Sequence, residues 1–263
     1  MHKFGGAAFG KPTMSVYCYY LDGLLIDTAQ RHCETEVKHT FAHQPIEQIA
    51  LTHWHEDHSG NAQTLQELSK APIYAHPITE QKIRNGFDIL PYEKYFFGKI
   101  RPVLGEIRPM PPILETTHHQ LTPIFTPGHS ADHYVLLEKN KGWLFSGDLF
   151  VGVKIKVFRK AENIHQQIAS IQRVLQEDFE VVFCGHSPQL QNGKGLFKAK
   201  LQYFEDFVGN VLALHQKGLS VKEIMQHLTL KEAWWLRLFT FNDVSVTYLV
   251  TSAIEHQEKA HTN

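Results

Sequence analysis

Short apolar runs alternate with amphipathic stretches through the first two-thirds of the chain, and this pattern predicts strands interleaved with helices. The stretch SVYCYYLDGLLIDT (15–28) indicates two strands joined by a turn at Asp22–Gly23. Further strands are predicted at 46–52, 71–76, 121–126, 134–139, 142–148 and the start of 180–188. Helices are predicted at 29–41, 61–70, 77–86 and 162–177. Strands in two groups, with helices between them, favour a two-sheet core with outer helices over residues 13–190.

Two regions depart from this pattern. Residues 87–112 are rich in proline and aromatic side chains and have no regular period, so they are predicted to form a long surface loop or lid that walls the substrate entrance. From about residue 195 the pattern is wholly helical, with helices predicted at 198–216, 220–228 and 243–257. The chain is therefore predicted to divide into a mixed domain, residues 1–194, and an all-helical extension, residues 195–263.

The composition narrows the class of protein. The chain has 263 residues, of which 43% are hydrophobic, which suits a sizeable core, and its formal net charge of -1 does not suggest a nucleic-acid-binding protein. Three widely separated cysteines fit a reducing compartment. No signal peptide and no membrane-spanning run of about 18 apolar residues is visible, so a cytoplasmic protein is predicted. The unusual total is 18 histidines.

Three of these histidines stand in THWHEDHSG, residues 52–60, directly after a predicted strand. His53, His55 and Asp57 would share one side of an extended segment, whereas His58 falls out of phase where the chain turns into a helix. Imidazole and carboxylate groups are ligands that zinc prefers. One tetrahedral metal could not use all four groups and keep a position open for water. The segment therefore indicates two metals and requires more ligands downstream.

Three later segments offer such ligands. TPGHS carries His129, FSGDL carries Asp148 and FCGHSP carries His186, each after an apolar strand and a glycine that permits a tight turn. Strand ends at one edge of a core are where a rigid scaffold holds functional groups. Each segment alone is weak evidence, but chance is a poor explanation of the ordered set.

The ordered set H-x-H-x-D-H, T-P-G-H, S-G-D and C-G-H resembles the metallo-β-lactamase superfamily over about residues 13–190. The resemblance implies an αββα sandwich with a metal-dependent hydrolase site at one edge, which would hold two divalent metal ions, most simply zinc. Asp27 matches an acid that orients a ligand histidine in this superfamily. The implied metal ligands are His53, His55 and His129 for one metal, Asp57, His58 and His186 for the other, and Asp148 as the bridge.

The implied reaction is hydrolysis by a hydroxide that bridges the two metals, which lower the pKa of the water toward ~7. Asp57 would assist proton movement. The basic stretch VGVKIKVFRK (151–160) follows the bridging aspartate and predicts that Lys154 and Arg159 bind an anionic ester, thioester or phosphodiester. Alternatively, Lys154 and Lys156 alternate along a strand and only face solvent.

Several functions remain open within this class. The motifs with a helical tail are most similar to the lactamase-β-like group, which includes endoribonucleases, while thioesterases of the glyoxalase II type and persulfide dioxygenases with one iron are alternatives. Residues 195–263 carry seven basic and seven acidic side chains, which does not favour nucleic acid. A small-molecule or nucleotide-like anion is therefore the predicted substrate. The extension is predicted to pack over the site or to form a homodimer, with these side chains as core or dimer contacts: Trp234, Trp235, Leu238, Phe239 and Phe241.

Overall fold

The computed structural model describes residues 1–8, 11–155 and 157–260, without the side chains of 6–8, 11–14 and 256–260. Lys156 of the basic stretch lies outside the described residues. The chain forms two compact units: the first comprises Met1–Phe125, Ala131–Val151 and Asp178–Gly193, and the second comprises Thr126–Ser130, Gly152–Glu177 and Lys194–Asn263. The second unit thus takes two internal segments in addition to the tail, and the division at residue 194 stays a prediction.

Two sheets build the first unit. The first sheet has the order β1–β2–β3–β4–β5–β6, antiparallel from β1 to β3 and parallel from β3 to β6. Its strands are β1 (His2–Ala8), β2 (Lys11–Leu21), β3 (Leu24–Ile26), β4 (Gln48–Ala50), β5 (Ile73–Ala75) and β6 (Ile107–Pro109). The second sheet consists, in spatial order, of β12 (Val181–Cys184), β10 (Trp143–Gly147), β9 (Tyr134–Glu138), β8 (Gln120–Phe125) and β7 (Leu114–Glu115).

The apolar residues of β3 show how the layers form. Successive side chains of a strand point to opposite faces of its sheet. Leu24 and Ile26 therefore face the second sheet and pack in one buried cluster with Phe145 of β10. Leu25 faces the other way, into a cluster with Leu65 and other helical residues. The helices of the first unit are α1 (Glu34–Phe41), α2 (Glu56–Ser59), α3 (Ala62–Ser69), α4 (Pro77–Asn85) and α5 (Pro91–Phe97).

The prediction of one long loop over 87–112 is wrong. This segment contains the helix α5, whose first turn has Pro91, and the strand β6, which pairs in parallel with β5. Proline at the first helical position supplies the φ that a helix needs, so it marks a helix start here and not a loop. Phe87 packs edge-on against Trp54 with ring centroids 4.8 Å apart.

The second unit is mainly helical. Its helices include α6 (Ile164–Val174), α8 (Val221–His227), α9 (Trp234–Phe239) and α10 (Val246–Ala260), and α7 (Gly193–Gln216) supplies its longest helix. The extension is not all-helical as predicted, because β13 (Val244–Ser245) pairs with β11 (Phe158–Arg159). Such a short strand has no period that a sequence could display. No described helix has both the length and the apolarity that a membrane span requires.

Candidate metal centre

The predicted ligands of the first unit follow strands whose ends are tied together by backbone hydrogen bonds. The Gly185 amide donates to the Gly147 carbonyl at 2.9 Å, and the Tyr17 amide donates to the Gly185 carbonyl at 2.7 Å. The Tyr134 amide donates to the Thr52 carbonyl at 2.8 Å, which joins the second sheet to the first. Segments that are far apart in sequence therefore meet at one edge of the sandwich.

His53 and His55 face each other at this edge. His53 is fully buried, and its Nε2 atom lies 3.0 Å from Nδ1 of His55. The Thr52 hydroxyl is 3.0 Å from Nδ1 of His53 and donates to Asp27, so it is placed to accept the Nδ1 proton. With the proton on Nδ1, the Nε2 lone pair of His53 is left for a metal.

Asp57 and His58 lie on the short helix α2, which begins at Glu56. The prediction that Asp57 continues an extended segment and shares a side with His53 and His55 is therefore wrong. Instead, Oδ2 of Asp57 lies 3.3 Å from Nε2 of His186, and Oδ1 lies 3.9 Å from Nε2 of His58. The helical turn redirects the carboxylate toward the end of β12.

Asp148 stands between the two histidines of this group. Its Oδ1 atom lies 3.3 Å from Nε2 of His58, and its Oδ2 atom lies 3.3 Å from Nε2 of His186. Within the first unit, two sets of possible ligand atoms each lie within 4.8 Å of one another: His53, His58 and Asp148 form one set, and Asp57, His58 and His186 form the other.

Buried acceptors fix the orientation of both histidines. Oδ2 of Asp27 lies 2.8 Å from Nδ1 of His58, and the backbone carbonyl of Ser15 lies 2.9 Å from Nδ1 of His186. The predicted orienting role of Asp27 requires this contact. Asp27 also accepts the Thr52 amide at 2.8 Å and sits at a φ of +60°. A left-handed backbone is uncommon outside glycine and is seen often at functional sites.

Sequence reasoning assigned no role to Asp132 and His133, which are fully buried just before β9. Oδ2 of Asp132 accepts the Trp54 amide at 3.0 Å, and Nε2 of His133 accepts the Asp148 amide at 3.1 Å. These neighbouring residues hold the backbone of two different ligand segments. The signal was their position in TPGHSADH directly before a strand.

Glycines and a β-bulge allow the ligands to approach so closely. Gly147 has a φ of +47°, and a Cβ atom there would lie 2.6 Å from Nε2 of His133. A Cβ atom on Gly185 would lie 2.6 Å from Cε1 of His58 and 2.7 Å from Oδ1 of Asp148. The register of β10 and β12 also shifts between Phe145 and Gly147, directly before Asp148. Such bulges re-aim a side chain at the end of a strand.

The charges of the cluster perturb one another. Burial lowers the pKa of His58, but the carboxylates of Asp148 and Asp27 raise it more, so the pKa lies well above its usual value. Burial also lowers the pKa of His186, but the carboxylates of Asp148 and Asp57 raise it more, so this pKa too lies well above its usual value. Burial raises the pKa of Asp148, but His186 and His58 bring it well below its usual value. These carboxylates thus strongly favour positive charge at the imidazoles.

The donor set fits divalent metal ions. Nε2 of His58 is buried and makes no hydrogen bond within the described part of the chain. The Nδ1 atoms of His58 and His186 are already engaged, so their Nε2 atoms point at the carboxylates of Asp57 and Asp148. Imidazole nitrogens and carboxylate oxygens that converge in a largely buried cluster are the ligands that a divalent metal such as zinc prefers.

The remaining predicted residues belong to the second unit. Nδ1 of His129 lies 3.7 Å from Oε1 of Glu162. Lys154 is exposed, and Nε of Arg159 lies 3.0 Å from Oδ2 of Asp243, an ion pair that joins β11 to the residue before β13. The assignment of His129 to a metal, and of Lys154 and Arg159 to a substrate, stays a prediction.

The family described as "Metallo-beta-lactamase superfamily" matches residues 15–186, which is more than half of the chain and spans the strands that carry the cluster. The chain belongs to the metallo-beta-lactamase superfamily. Membership confirms the predicted fold and the prediction of a metal-dependent hydrolase. Members of the superfamily bind divalent metals, in agreement with the histidine and aspartate cluster described above.

Two of its relatives have low sequence identity to this chain. A Caenorhabditis elegans protein named beta-lactamase-like protein 2 homolog is 25% identical over 90% of this chain and 70% of its own length. The probable metallo-hydrolase YybB of Bacillus subtilis is 28% identical over 70% of this chain and 84% of its own length.

Solved structures of the superfamily share the fold. A metallo-beta-lactamase family protein from Thermus thermophilus superposes with a TM-score of 0.69 at 20% identity, covering 93% of this chain and 89% of its own. The protein TTHA1623, solved in a di-iron-bound form, has a TM-score of 0.59 at 21% identity and covers 77% of this chain and 100% of its own.

Proposed function

We propose that the protein is a binuclear hydrolase in which Asp148 contacts two metal ions at once. The observation that carries this proposal is the placement of its two carboxylate oxygens. Each faces the Nε2 atom of a different histidine, His58 or His186, at 3.3 Å. A carboxylate whose two oxygens face two different histidines would help to hold two metal ions, and its loss would then weaken both sites.

The proposed metals are two zinc ions, because imidazole and carboxylate ligands suit zinc. When bound, they would supply a water of lowered pKa and stabilise negative charge on the substrate oxygens. Iron is the alternative metal, since TTHA1623 holds two irons in the same fold. The proposed ligands are His53, His55 and His129 for one cation, Asp57, His58 and His186 for the other, and Asp148 for both.

The chain's own groups would position the ligands and move the proton. Asp27 and the Ser15 carbonyl keep the protons of His58 and His186 on Nδ1, so that both Nε2 atoms stay available. Asp57 is proposed to take up a proton at Oδ1, because its Oδ2 atom is the one that faces His186 at 3.3 Å.

The proposed substrate is an anionic ester, thioester or phosphodiester. Support for a negative charge comes from the basic stretch 151–160, in which Lys154 is exposed. Arg159 forms an ion pair with Asp243, next to the pairing of β11 with β13. A test must therefore separate the contribution of Arg159 to substrate binding from its contribution to this strand pairing. Arg159→Ala should raise KM for charged substrates by at least ~tenfold, whereas Asp243→Asn should not. Equal effects of both variants would show a structural role only.

Metal analysis combined with a substrate panel tests the proposal. We expect two zinc ions per chain and turnover of at least one ester, thioester, lactone or phosphodiester, with RNA included among the phosphodiesters. Asp148→Asn should reduce the metal content and lower turnover at least ~100-fold, because it weakens both sites together. Asp22→Asn is the matched control, since Asp22 lies in the turn between β2 and β3, where its partly exposed carboxylate contacts His118.

Two outcomes would overturn the proposal. Full metal content and turnover in Asp148→Asn would refute the shared ligand. A single iron per chain, with oxygen uptake on a persulfide and no hydrolysis, would identify the dioxygenase alternative.

A further inference from the structure

Helix α9 and the turn after it carry an exposed apolar surface, which we call the α9 face. Its members were expected to be core or dimer contacts, and their exposure excludes the core. The exposed fractions of its side chains are 63% for Trp234, 72% for Trp235, 77% for Leu238, 44% for Phe239 and 60% for Phe241. Exposing tryptophan or phenylalanine to water is unfavourable because each side chain has a large apolar surface.

The exposed area of the α9 face is large for a monomer and can be compared with the area that a dimer needs. At about 150–250 Å² per aromatic side chain, the four of them leave roughly 360–600 Å² exposed, before Leu238 is added. The largest apolar patch on a typical monomer is about 300–600 Å² in total. A standard interface takes about 800 Å² from each partner, so the α9 face is smaller than one side of a standard interface. Two copies of it, with Leu238 included, would together bury about 1,000 Å², which is the area that a specific interface needs.

Charge argues against a membrane or a nucleic acid as the occupant. Arg237 is the charged residue within α9, and its guanidinium lies over the ring of Trp234 and 4.0 Å from Glu232. Its Nε atom also donates to Asn242. Residues 195–263 carry as many acidic as basic side chains, seven of each. Anionic lipids and phosphates need a basic surplus around the apolar side chains, and this segment has none.

The shape of the face fits a second copy of the same surface. Trp234, Leu238 and Phe241 line a cavity of about 490 Å³ together with Arg237 and Asn242. Trp235 and Leu238 are also the two most exposed members of the face. A two-fold interface must be self-complementary, and a patch with both projecting apolar side chains and an apolar cavity meets that condition.

We propose that the α9 face is the contact through which two copies of this chain form a two-fold dimer. The apolar side chains of one copy would fill the cavity of its partner, and Trp235 and Leu238 would be the central contacts. Because a two-fold axis repeats every contact, each substitution acts twice in the dimer. The proposal is independent of the bound metal and of the substrate.

Sedimentation velocity and light scattering from nanomolar to high micromolar concentration test the proposal. The full-length protein should be dimeric, and Leu238→Glu and Trp235→Ser should each raise the dimer dissociation constant at least ~100-fold. Leu104→Glu is the matched control, because Leu104 is 80% exposed on the first unit. Unchanged circular dichroism and metal content will show that the variants fold.

Three results would overturn the proposal. The protein could be monomeric at every concentration, or the dimer could survive both substitutions. It could also be a monomer that floats with vesicles of anionic and neutral phospholipid, and loses this binding in Leu238→Glu. That result would make the α9 face a membrane contact.

Discussion

Replacing His133 with methionine should weaken metal binding without a direct contact to the metal. His133 is fully buried, and its Nε2 atom accepts the amide of Asp148, the proposed shared ligand, at 3.1 Å. Methionine fills similar space, but its thioether sulfur is only a weak acceptor of the Asp148 amide. A buried donor that loses its partner costs about 1–3 kcal/mol, which corresponds to an about 5–150-fold change in an equilibrium. If that cost is relieved by displacement of Asp148, zinc affinity should fall by about 10–100-fold.

His133→Gln is the matched control, because its side-chain carbonyl can accept the same amide. Competition with a chromophoric zinc chelator would measure the affinity, and thermal unfolding would verify the fold. We expect the glutamine variant to retain most of the zinc affinity that the methionine variant loses. In the methionine variant, kcat should fall by a larger factor than KM changes. A folded methionine variant with normal zinc affinity and kcat would refute the reasoning and reduce His133 to a packing residue.

Three further outcomes follow from the same cluster. Asp27→Asn should lower metal affinity by about 10–100-fold, because His58 loses the carboxylate that orients it, and an unchanged affinity in the chelator assay would contradict that role. Gly185→Ala should disrupt the site, since its methyl group would lie 2.6 Å from His58, and a metal-replete alanine variant would show that the backbone can yield. Zinc uptake at pH 7 should release protons, because the raised pKa values of His58 and His186 keep both side chains protonated until zinc displaces the protons. Zinc affinity should rise with pH for the same reason. Calorimetry in buffers of different ionisation enthalpy measures the number of protons released, and a release of zero would contradict the prediction.

The sequence was sufficient to predict the elements that show a regular hydrophobic period and the family that carries the ligand motifs. β9 and β10 are short apolar runs between polar turns, and α3 is amphipathic, so each was predicted within a few residues. The family and its fold followed from the ordered ligand motifs. The motifs did not predict the direction in which each side chain points. Asp57 was expected to continue an extended segment, whereas helix α2 has already begun at Glu56.

Long-range contacts and very short elements were beyond sequence reasoning. The acceptor of the Asp148 amide is a histidine from another segment, and the bulge before Asp148 is a property of strand pairing. The strand β13 has two residues, too few to alternate visibly. The segment 87–112 was predicted to be a loop because its prolines were treated as breakers, although Pro91 begins a helix and Pro109 ends an edge strand, where proline is tolerated.

The joining of both sheets at one edge has a consequence for how the protein reaches its native state. His53 follows β4 of the first sheet, whereas Asp148 and His186 follow β10 and β12 of the second. No local fragment of the chain contains the whole ligand cluster, so a partly folded chain with a single formed sheet cannot offer it to a metal. Metal should therefore bind late in folding, after the two sheets dock. Because it binds the folded chain and not the unfolded chain, it should add about 2.7 kcal/mol to the free energy of unfolding when its free concentration is 100 times its dissociation constant. A cell that starves the protein of metal would then lose it to degradation as well as to inactivity.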